Sequence, residues 1–132
     1  MPPAMKPLLF LFTAPERRGL WRAVLALLVA TITVLALSPA PPASINTGWD
    51  KLNHALAFAA LAFAGVWALW PQPRRWGALS VLLMAYGGAI EIVQGMLPTR
   101  QADGMDMLAD GVGVVVGLAT AWALLQLAHR VR

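Results

Sequence analysis

The chain has 132 residues, of which 59% are hydrophobic and only 12% charged, and its mean hydropathy is +0.66. These values exclude a disordered chain and argue against a water-soluble enzyme, and the absence of cysteine excludes a disulfide scaffold. The net charge is +4, but the basic residues lie in small groups between apolar runs, so nucleic acid is not a predicted partner.

Four apolar stretches are long enough to cross a bilayer core of roughly 30 Å, which takes about 20 residues per helix. In chain order they are Leu20–Leu37, Lys51–Trp70, Trp76–Leu97 and Met105–Ala128, and the segments between them are proline-rich or polar. We predict an all-α polytopic membrane protein with four transmembrane helices in an antiparallel bundle. Residues 1–18 are predicted to be a cytoplasmic or interfacial segment, and residues 19–132 to be the transmembrane domain.

The first apolar stretch follows a basic lead-in, as the apolar core of a cleavable signal peptide does. It is longer than the core of about 7 to 15 residues that such signals have. We therefore expect the first span to be retained in the mature protein.

The basic residues divide unequally between the two sides of the predicted bundle. One side carries eight of the ten, namely Lys6, Arg17, Arg18, Arg22, Arg74, Arg75, Arg130 and Arg132. The other side carries only Lys51 and Arg100. Because lysine and arginine concentrate in cytoplasmic connections, both termini are predicted to be cytoplasmic.

Unusual polar residues gather at the predicted outer ends of spans two, three and four. Each group shares a helix face: Lys51, His54 and Phe58 in span two, Glu91 and Gln94 in span three, and Asp106, Asp110, Gly113 and Gly117 in span four. At 1.5 Å per residue, His54, Asp110 and Glu91 lie roughly 5 to 9 Å inward from the nearest connections. We therefore expect them to form one polar pocket that opens toward the outer leaflet.

Three separated segments carry a pattern that resembles the VanZ-like membrane protein family. They read Asp50-Lys51-x-x-His54-x-x-x-Phe58, Glu91-x-x-Gln94-x-x-x-Pro98-x-Arg100 and Asp106-x-x-x-Asp110-x-x-Gly113-x-x-x-Gly117. The match covers residues 50–117, about half of the chain, and departs from the family at Asp110, where the family pattern usually has Asn. The resemblance implies a bacterial inner-membrane protein of four or more spans. The family is named for a member associated with glycopeptide antibiotic resistance, and the resemblance implies no established molecular activity.

From this pocket we predict that the protein binds or modifies a phosphate-bearing lipid or a lipid-linked cell-envelope intermediate. Lys51 and Arg100 are the candidate phosphate ligands, because arginine bonds phosphate through two parallel donors and lysine adds a point charge. The candidate acid and base residues are His54, Glu91 and Asp106. Gln94 and Asp110 complete the predicted binding residues, and Gly113 and Gly117 are predicted to be packing positions.

Other uses of the same residues stay open. A divalent cation could be held by His54, Glu91, Asp106 and Asp110, although their spacing matches no known metal motif. The cluster could instead lock the helices of a non-enzymatic interaction or assembly subunit, as part of a homo- or hetero-oligomer. A proton or ion pathway is disfavoured, because the cytoplasmic half of the spans offers no relay.

Glu91, Asp106 and the neighbouring Asp103 also have structural interpretations. Glu91 is expected either to be neutral or to pair with Lys51, Arg100 or His54. Asp106 lies near the start of span four, where a carboxylate can cap a helix. Asp103 is expected to be a solvated loop charge.

Overall fold

The structure is a computed structural model that describes residues 5–40, 42–45 and 47–130, without the side chains of residues 5–8 and 45. The described residues form five α-helices: α1 (Met5–Thr13), α2 (Arg18–Leu37), α3 (Asp50–Ala68), α4 (Trp76–Gly95) and α5 (Gly104–Arg130). Short 3-10 turns cover Pro15–Arg17, Ala43–Ile45 and Pro73–Arg75, and this part of the chain contains no strand. Of the residues named in the predictions, Arg132, the first four residues and the side chain of Lys6 lie outside this description.

The prediction of an all-α protein with four membrane-spanning helices is confirmed. Helices α2 to α5 are each long and apolar enough to cross a membrane. Their ends differ from the predicted ends by no more than two residues. The prolines explain this agreement, because a proline cannot continue a helix and restricts the residue before it.

Helix α3 forms the centre of the bundle. It packs against α2, α4 and α5, and eight of its residues are buried, whereas α2 contains no buried residue. The core consists of Phe58, Leu61, Ala62, Val66, Trp67, Leu79, Leu83, Val114 and Ala121. Because lipid is as apolar as these side chains, close van der Waals packing rather than water exclusion holds the helices together.

Helices α3 and α5 run in the same direction and approach each other most closely at two glycines. A Cβ added to Gly113 would lie 2.3 Å from the carbonyl oxygen of Ala55, and one added to Gly117 would lie 2.4 Å from that of Ala59. Consecutive spans alternate in direction, so α3 and α5 begin where α2 and α4 end. We call this end of the bundle the polar end.

At the opposite end of the bundle, aromatic rings of α1, α2 and α3 pack against one another. Phe12 of α1 lies 5.5 Å from the ring of Trp21 and 5.6 Å from that of Phe63, measured between centroids. Helix α1 therefore contacts the start of α2 and the second half of α3. This contact places residues 5–18 far from the polar end.

Candidate functional site

Lys51 lies in the first turn of α3 and bonds two carboxylates of the segment around the start of α5. Its Nζ donates a hydrogen bond to Asp103 and another to Asp106 Oδ1, the latter at 2.6 Å. Asp106 is only 3% exposed. Lys51 is therefore neutralised within the protein, which argues against its predicted role as a phosphate ligand.

Asp103 immediately precedes α5 and has more contacts than a solvated loop charge, although about half of its side chain stays exposed. Its Oδ1 accepts the backbone N–H of Met105 at 2.9 Å, which makes Asp103 rather than Asp106 the capping residue of the helix. The hydrogen bond from Lys51 is the main reason that the pKa of Asp103 lies below its ordinary value, and the N–H of Met105 lowers it further.

His54 lies one turn beyond Lys51 and faces three carboxylates. Its Nδ1 lies 2.7 Å from Asp110 Oδ1. When Asp110 is ionised, Nδ1 is the donor, because an ionised carboxylate can only accept. Its Nε2 lies 3.5 Å from Asp106 Oδ2 and 4.0 Å from Asp50 Oδ2. Asp110 thus fixes the orientation of the ring and leaves Nε2 facing the other two carboxylates.

Asp110 is completely buried and depends on a glycine of α4. A Cβ added to Gly87 would lie 2.5 Å from Asp110 Oδ2 and 3.0 Å from Phe58 Cζ. Asp110 Oδ2 has no hydrogen-bond partner within the described residues. The space that Gly87 leaves therefore lets a buried carboxylate reach His54, a role that the sequence analysis did not assign.

Glu91 positions the segment before α5. It is 7% exposed, and its Oε2 accepts the backbone N–H of Asp103 at 2.9 Å. The described residues form no salt bridge between Glu91 and Lys51, Arg100 or His54, the predicted partners. Its Oε1 is buried without a hydrogen-bond partner in that part of the chain. Glu91 therefore contacts the protein backbone rather than the other predicted catalytic groups.

Arg100 and Gln94 both bond the carboxyl end of α2. Arg100 Nε and Nη2 donate to the carbonyl of Ser38 at 3.2 and 2.9 Å, and Nη2 also donates to that of Leu35 at 3.2 Å. Gln94 Nε2 donates to the carbonyl of Ala36 at 2.8 Å. A cation at the negative end of a helix dipole is favourable. Across residues 5–40, 42–45 and 47–130, no salt bridge involves Arg100.

A cavity of about 280 Å³ lies between α2, α3 and α4 at the polar end. Its polar lining is Thr47, Asp50, Asn53, His54, Gln94 and Arg100, and its apolar lining is Ile32, Leu35, Ala36, Leu56, Ala57, Phe58 and Ile90. Leu56 is 54% exposed in the middle of α3, so the apolar part reaches the lateral surface of the bundle. Lys51, Glu91, Asp106 and Asp110 are not among the lining residues.

The structure thus separates the predicted site residues into four sets. Four of them meet in what we call the polar cluster, which consists of Asp50, Lys51, His54, Asp103, Asp106 and Asp110. Arg100 and Gln94 bond α2 and line the cavity, Glu91 bonds the segment before α5, and Gly113 and Gly117 lie farther along the contact between α3 and α5. The sequence analysis assigned no role to Asp50, although it lies one turn before His54, a spacing that places both on one helix face.

No family model, no curated protein and no solved structure matches this chain. The resemblance to the VanZ-like family therefore stays a prediction from the sequence pattern. The fold and the site define a multi-pass α-helical membrane protein in which a polar cluster adjoins a cavity with one polar and one apolar part.

Proposed function

We propose that the protein binds a phosphate-bearing amphiphile, a membrane lipid or a lipid-linked cell-envelope intermediate, in the cavity at the polar end. We further propose that it does so in a bacterial inner membrane with both termini cytoplasmic, so that the cavity opens toward the outer leaflet. The observation that carries this proposal is Arg100, a guanidinium without a salt bridge in the described part of the chain, on the lining of a cavity whose other part is apolar.

Arg100 supports the headgroup part of the proposal. Its contacts with Leu35 and Ser38 use Nε and Nη2, which leaves the two N–H groups of Nη1 for a ligand. Backbone carbonyls hold the guanidinium in place but provide only partial negative charge. A phosphate oxygen beside Nη1 would complete the neutralisation through a charge-assisted hydrogen bond.

The apolar lining supports the lipid part of the proposal. Ile32 and Leu35 of α2 face Leu56 and Ala57 of α3 across the cavity, and Leu56 is exposed at the bundle surface. An acyl or polyprenyl chain could therefore continue from the cavity into the surrounding bilayer while its phosphate stays at the polar part. A water-soluble phosphate compound would leave this apolar lining without a partner.

His54 supplies the group that could act chemically on the bound headgroup. It lines the cavity, and the hydrogen bond from Nδ1 to Asp110 orients Nε2, an arrangement that suits a general acid or base. We assign positioning roles to Asp106, which bonds Lys51, and to Glu91, which bonds the backbone of Asp103. Any modification of the amphiphile would thus use His54 for proton transfer and Arg100 for phosphate contact.

A second candidate function is a structural one, favoured by the saturation of Lys51 with two carboxylates. In this interpretation the polar cluster only locks α3 to α5 within an interaction or assembly subunit, and the cavity has no resident ligand. Variants of cavity residues would then change thermal stability but not lipid content.

The test is native mass spectrometry of the protein purified in a mild detergent, which detects lipids that remain bound. The variant is Arg100→Gln, and the matched control is Arg22→Gln, because Arg22 Nε donates to the carbonyl of Ala68 at 3.2 Å at the opposite end of the bundle. We expect Arg100→Gln to lose about tenfold or more of the phosphate-bearing lipid retained by the wild type, since charge-assisted bonds contribute about 1.5 to 3 kcal/mol. Arg22→Gln should retain it.

Equal lipid retention in both variants would contradict the proposal. So would a wild-type protein that carries no phosphate-bearing lipid. If both variants melt at lower temperature and neither differs from the wild type in lipid content, the structural candidate is favoured instead.

A further inference from the structure

Three potential metal ligands converge beside the cavity, and two of them belong to its lining. His54 Nε2 and one carboxylate oxygen each of Asp50 and Asp106 all lie within 4.8 Å of one another. A point equidistant from three donors so spaced lies roughly 2 to 2.5 Å from each, which is the range of metal–ligand distances in proteins. The three side chains are therefore already close to a coordinating arrangement.

When His54 is neutral, the atoms that face one another in this arrangement are all acceptors. Asp110 takes the hydrogen of Nδ1, so neutral His54 presents a lone pair at Nε2, and both facing carboxylates also present lone pairs. Asp106 is only 3% exposed, and its Oδ2 lies 3.5 Å from His54 Nε2. Two of these three acceptors belong to largely buried side chains, His54 and Asp106, so a positive charge between them would be favourable.

The remainder of the polar cluster does not supply that charge. The cluster contains the four carboxylates of Asp50, Asp103, Asp106 and Asp110, and its one permanent cation is Lys51. The ammonium of Lys51 contacts Asp103 and the Oδ1 atom of Asp106, which leaves Oδ2 for another partner. Groups of like charge within a membrane segment need a compensating ion or proton.

The contact between Asp110 and His54 is the one that protein metal sites use. A histidine that binds a metal through one ring nitrogen commonly donates the other ring N–H to a carboxylate, which fixes the ring and increases its basicity. Here Asp110 Oδ1 accepts from Nδ1 at 2.7 Å. The free nitrogen, Nε2, is the one directed at Asp50 and Asp106.

We propose that His54, Asp50 and Asp106 bind one divalent transition-metal cation, with Asp110 as the positioning residue of the histidine. A donor set of one imidazole nitrogen and two carboxylates suits Zn²⁺ or Mn²⁺ better than Mg²⁺ or Ca²⁺, which favour oxygen donors alone. Asp50 is exposed at the start of α3 and gives the cation a path from solvent. The site replaces the predicted ligands Glu91 and Asp110 with Asp50.

This inference goes beyond the proposed function, because the three ligands belong to the protein and no amphiphile is needed for binding. The two uses of His54 exclude each other, since Nε2 has one lone pair. Proton transfer by His54 therefore belongs to the cation-free protein. In the cation-bound protein, the metal would lie beside a cavity that Asp50, His54 and Arg100 all line, where it could add to the attraction of Arg100 for a phosphate.

The test is a titration of the chelator-stripped, full-length protein in detergent with Mn²⁺ alone, in which electron paramagnetic resonance measures the free ion. We expect one Mn²⁺ per chain, displaced by Zn²⁺ but not by an equal concentration of Mg²⁺. The variant is Asp50→Asn, which preserves the Lys51–Asp106 and His54–Asp110 contacts and therefore the fold. Its affinity should fall about tenfold or more, as the loss of even an outer-shell partner commonly does.

The control variant is Glu16→Gln, which removes an exposed carboxylate at the opposite end of the bundle and should bind Mn²⁺ as the wild type does. Absence of Mn²⁺ and Zn²⁺ binding by the wild type at millimolar concentration would overturn the inference. Equal affinity of the Asp50→Asn and Glu16→Gln variants would also overturn it. Because lipid retention can be measured with the chelator present, failure of the metal site is distinguishable from failure of amphiphile binding.

Discussion

Asp103 shows how much a single residue of a connection can contribute to the site. Its side chain bonds Lys51 and the backbone N–H of Met105, while its own backbone N–H donates to Glu91. It thus connects α3, α4 and the start of α5 at one point. The loss of its charge should weaken this junction without removing any apolar packing.

The lowered pKa of Asp103 predicts a specific dependence of stability on pH. A carboxyl with a pKa below its unfolded value, about 3.9, stabilises the fold fully above that value, and the contribution disappears as the pH falls through the folded pKa. Between about pH 5 and pH 3, we expect the melting temperature of the wild type to fall further than that of Asp103→Asn. The difference should be only a few degrees, because the ion pair between Lys51 and Asp103 is partly exposed to solvent.

Melting can be followed by circular dichroism in detergent. Asn is as good a capping residue as Asp, so Asp103→Asn changes the charge and keeps the cap of α5. At neutral pH the variant should be the less stable of the two proteins, and the gap should close on acidification. A gap that stays constant between these pH values would show that the carboxylate of Asp103 contributes nothing to stability.

At the level of single residues, the sequence predicted which residues belong to the site better than it predicted which groups they bond. The grouping of His54, Asp106 and Asp110 followed from helical periodicity and from the alternation of the spans, both of which are local rules. The partners of Arg100 did not, because they are backbone carbonyls of Leu35 and Ser38, whose positions depend on the path of the connection after α2. The cap by Asp103 had a local signal, an Asp directly before a helix start.

Helices α3 and α5 form the contact on which the polar cluster depends. The glycines at positions 113 and 117 face Ala55 and Ala59, so both helices present small residues where their backbones approach. Lys51 meets Asp106 and His54 meets Asp110 farther toward the polar end of the same contact. The alignment of the charged groups therefore rests on the close approach of the two backbones.

We predict that Gly113→Ala lowers the free energy of unfolding by about 1 to 3 kcal/mol, the usual cost of overpacking. The added Cβ would lie 2.3 Å from the backbone carbonyl of Ala55, which cannot move without separating the helices. The matched control is Gly111→Ala in the same helix, where the nearest atom is the flexible end of Met84 at 3.9 Å. The control should be neutral or slightly stabilising, since Ala favours the helix.

Unfolding with a denaturing detergent, followed by circular dichroism, measures both variants. Similar stability of Gly113→Ala and Gly111→Ala would show that α3 and α5 are not in close contact at this glycine.

At the level of helices, the sequence predicted the number and the ends of the spans, which depend on the length of the apolar runs and on the prolines between them. The four spans were predictable because apolar runs and prolines act locally. It did not predict that α3 would be central and α2 peripheral, because all four spans are apolar and only side-chain size distinguishes them. The small residues along α3 and α5 determine that these two helices approach most closely.

The whole molecule shows an unequal use of basic residues at its two ends. Arg17, Arg74 and Arg75 are exposed at the end opposite the polar end. Lys51 and Arg100, the two basic residues of the polar end, both bond protein groups. The charges available to anionic lipid and to the insertion machinery therefore concentrate at one end, which supports the proposal that this end is cytoplasmic.

The lack of cysteine allows this orientation to be tested with single cysteines in an otherwise unchanged chain. Ser44, in the turn between α2 and α3, and Gln72, between α3 and α4, are both exposed and lie at opposite ends of the bundle. We expect a membrane-impermeant maleimide to label Ser44→Cys in intact cells and Gln72→Cys only after permeabilisation. Inside-out vesicles are the control and should reverse the pattern. Labelling of Gln72→Cys in intact cells would instead place the cavity on the cytoplasmic side, where its phosphate-bearing ligand would have to come from the inner leaflet.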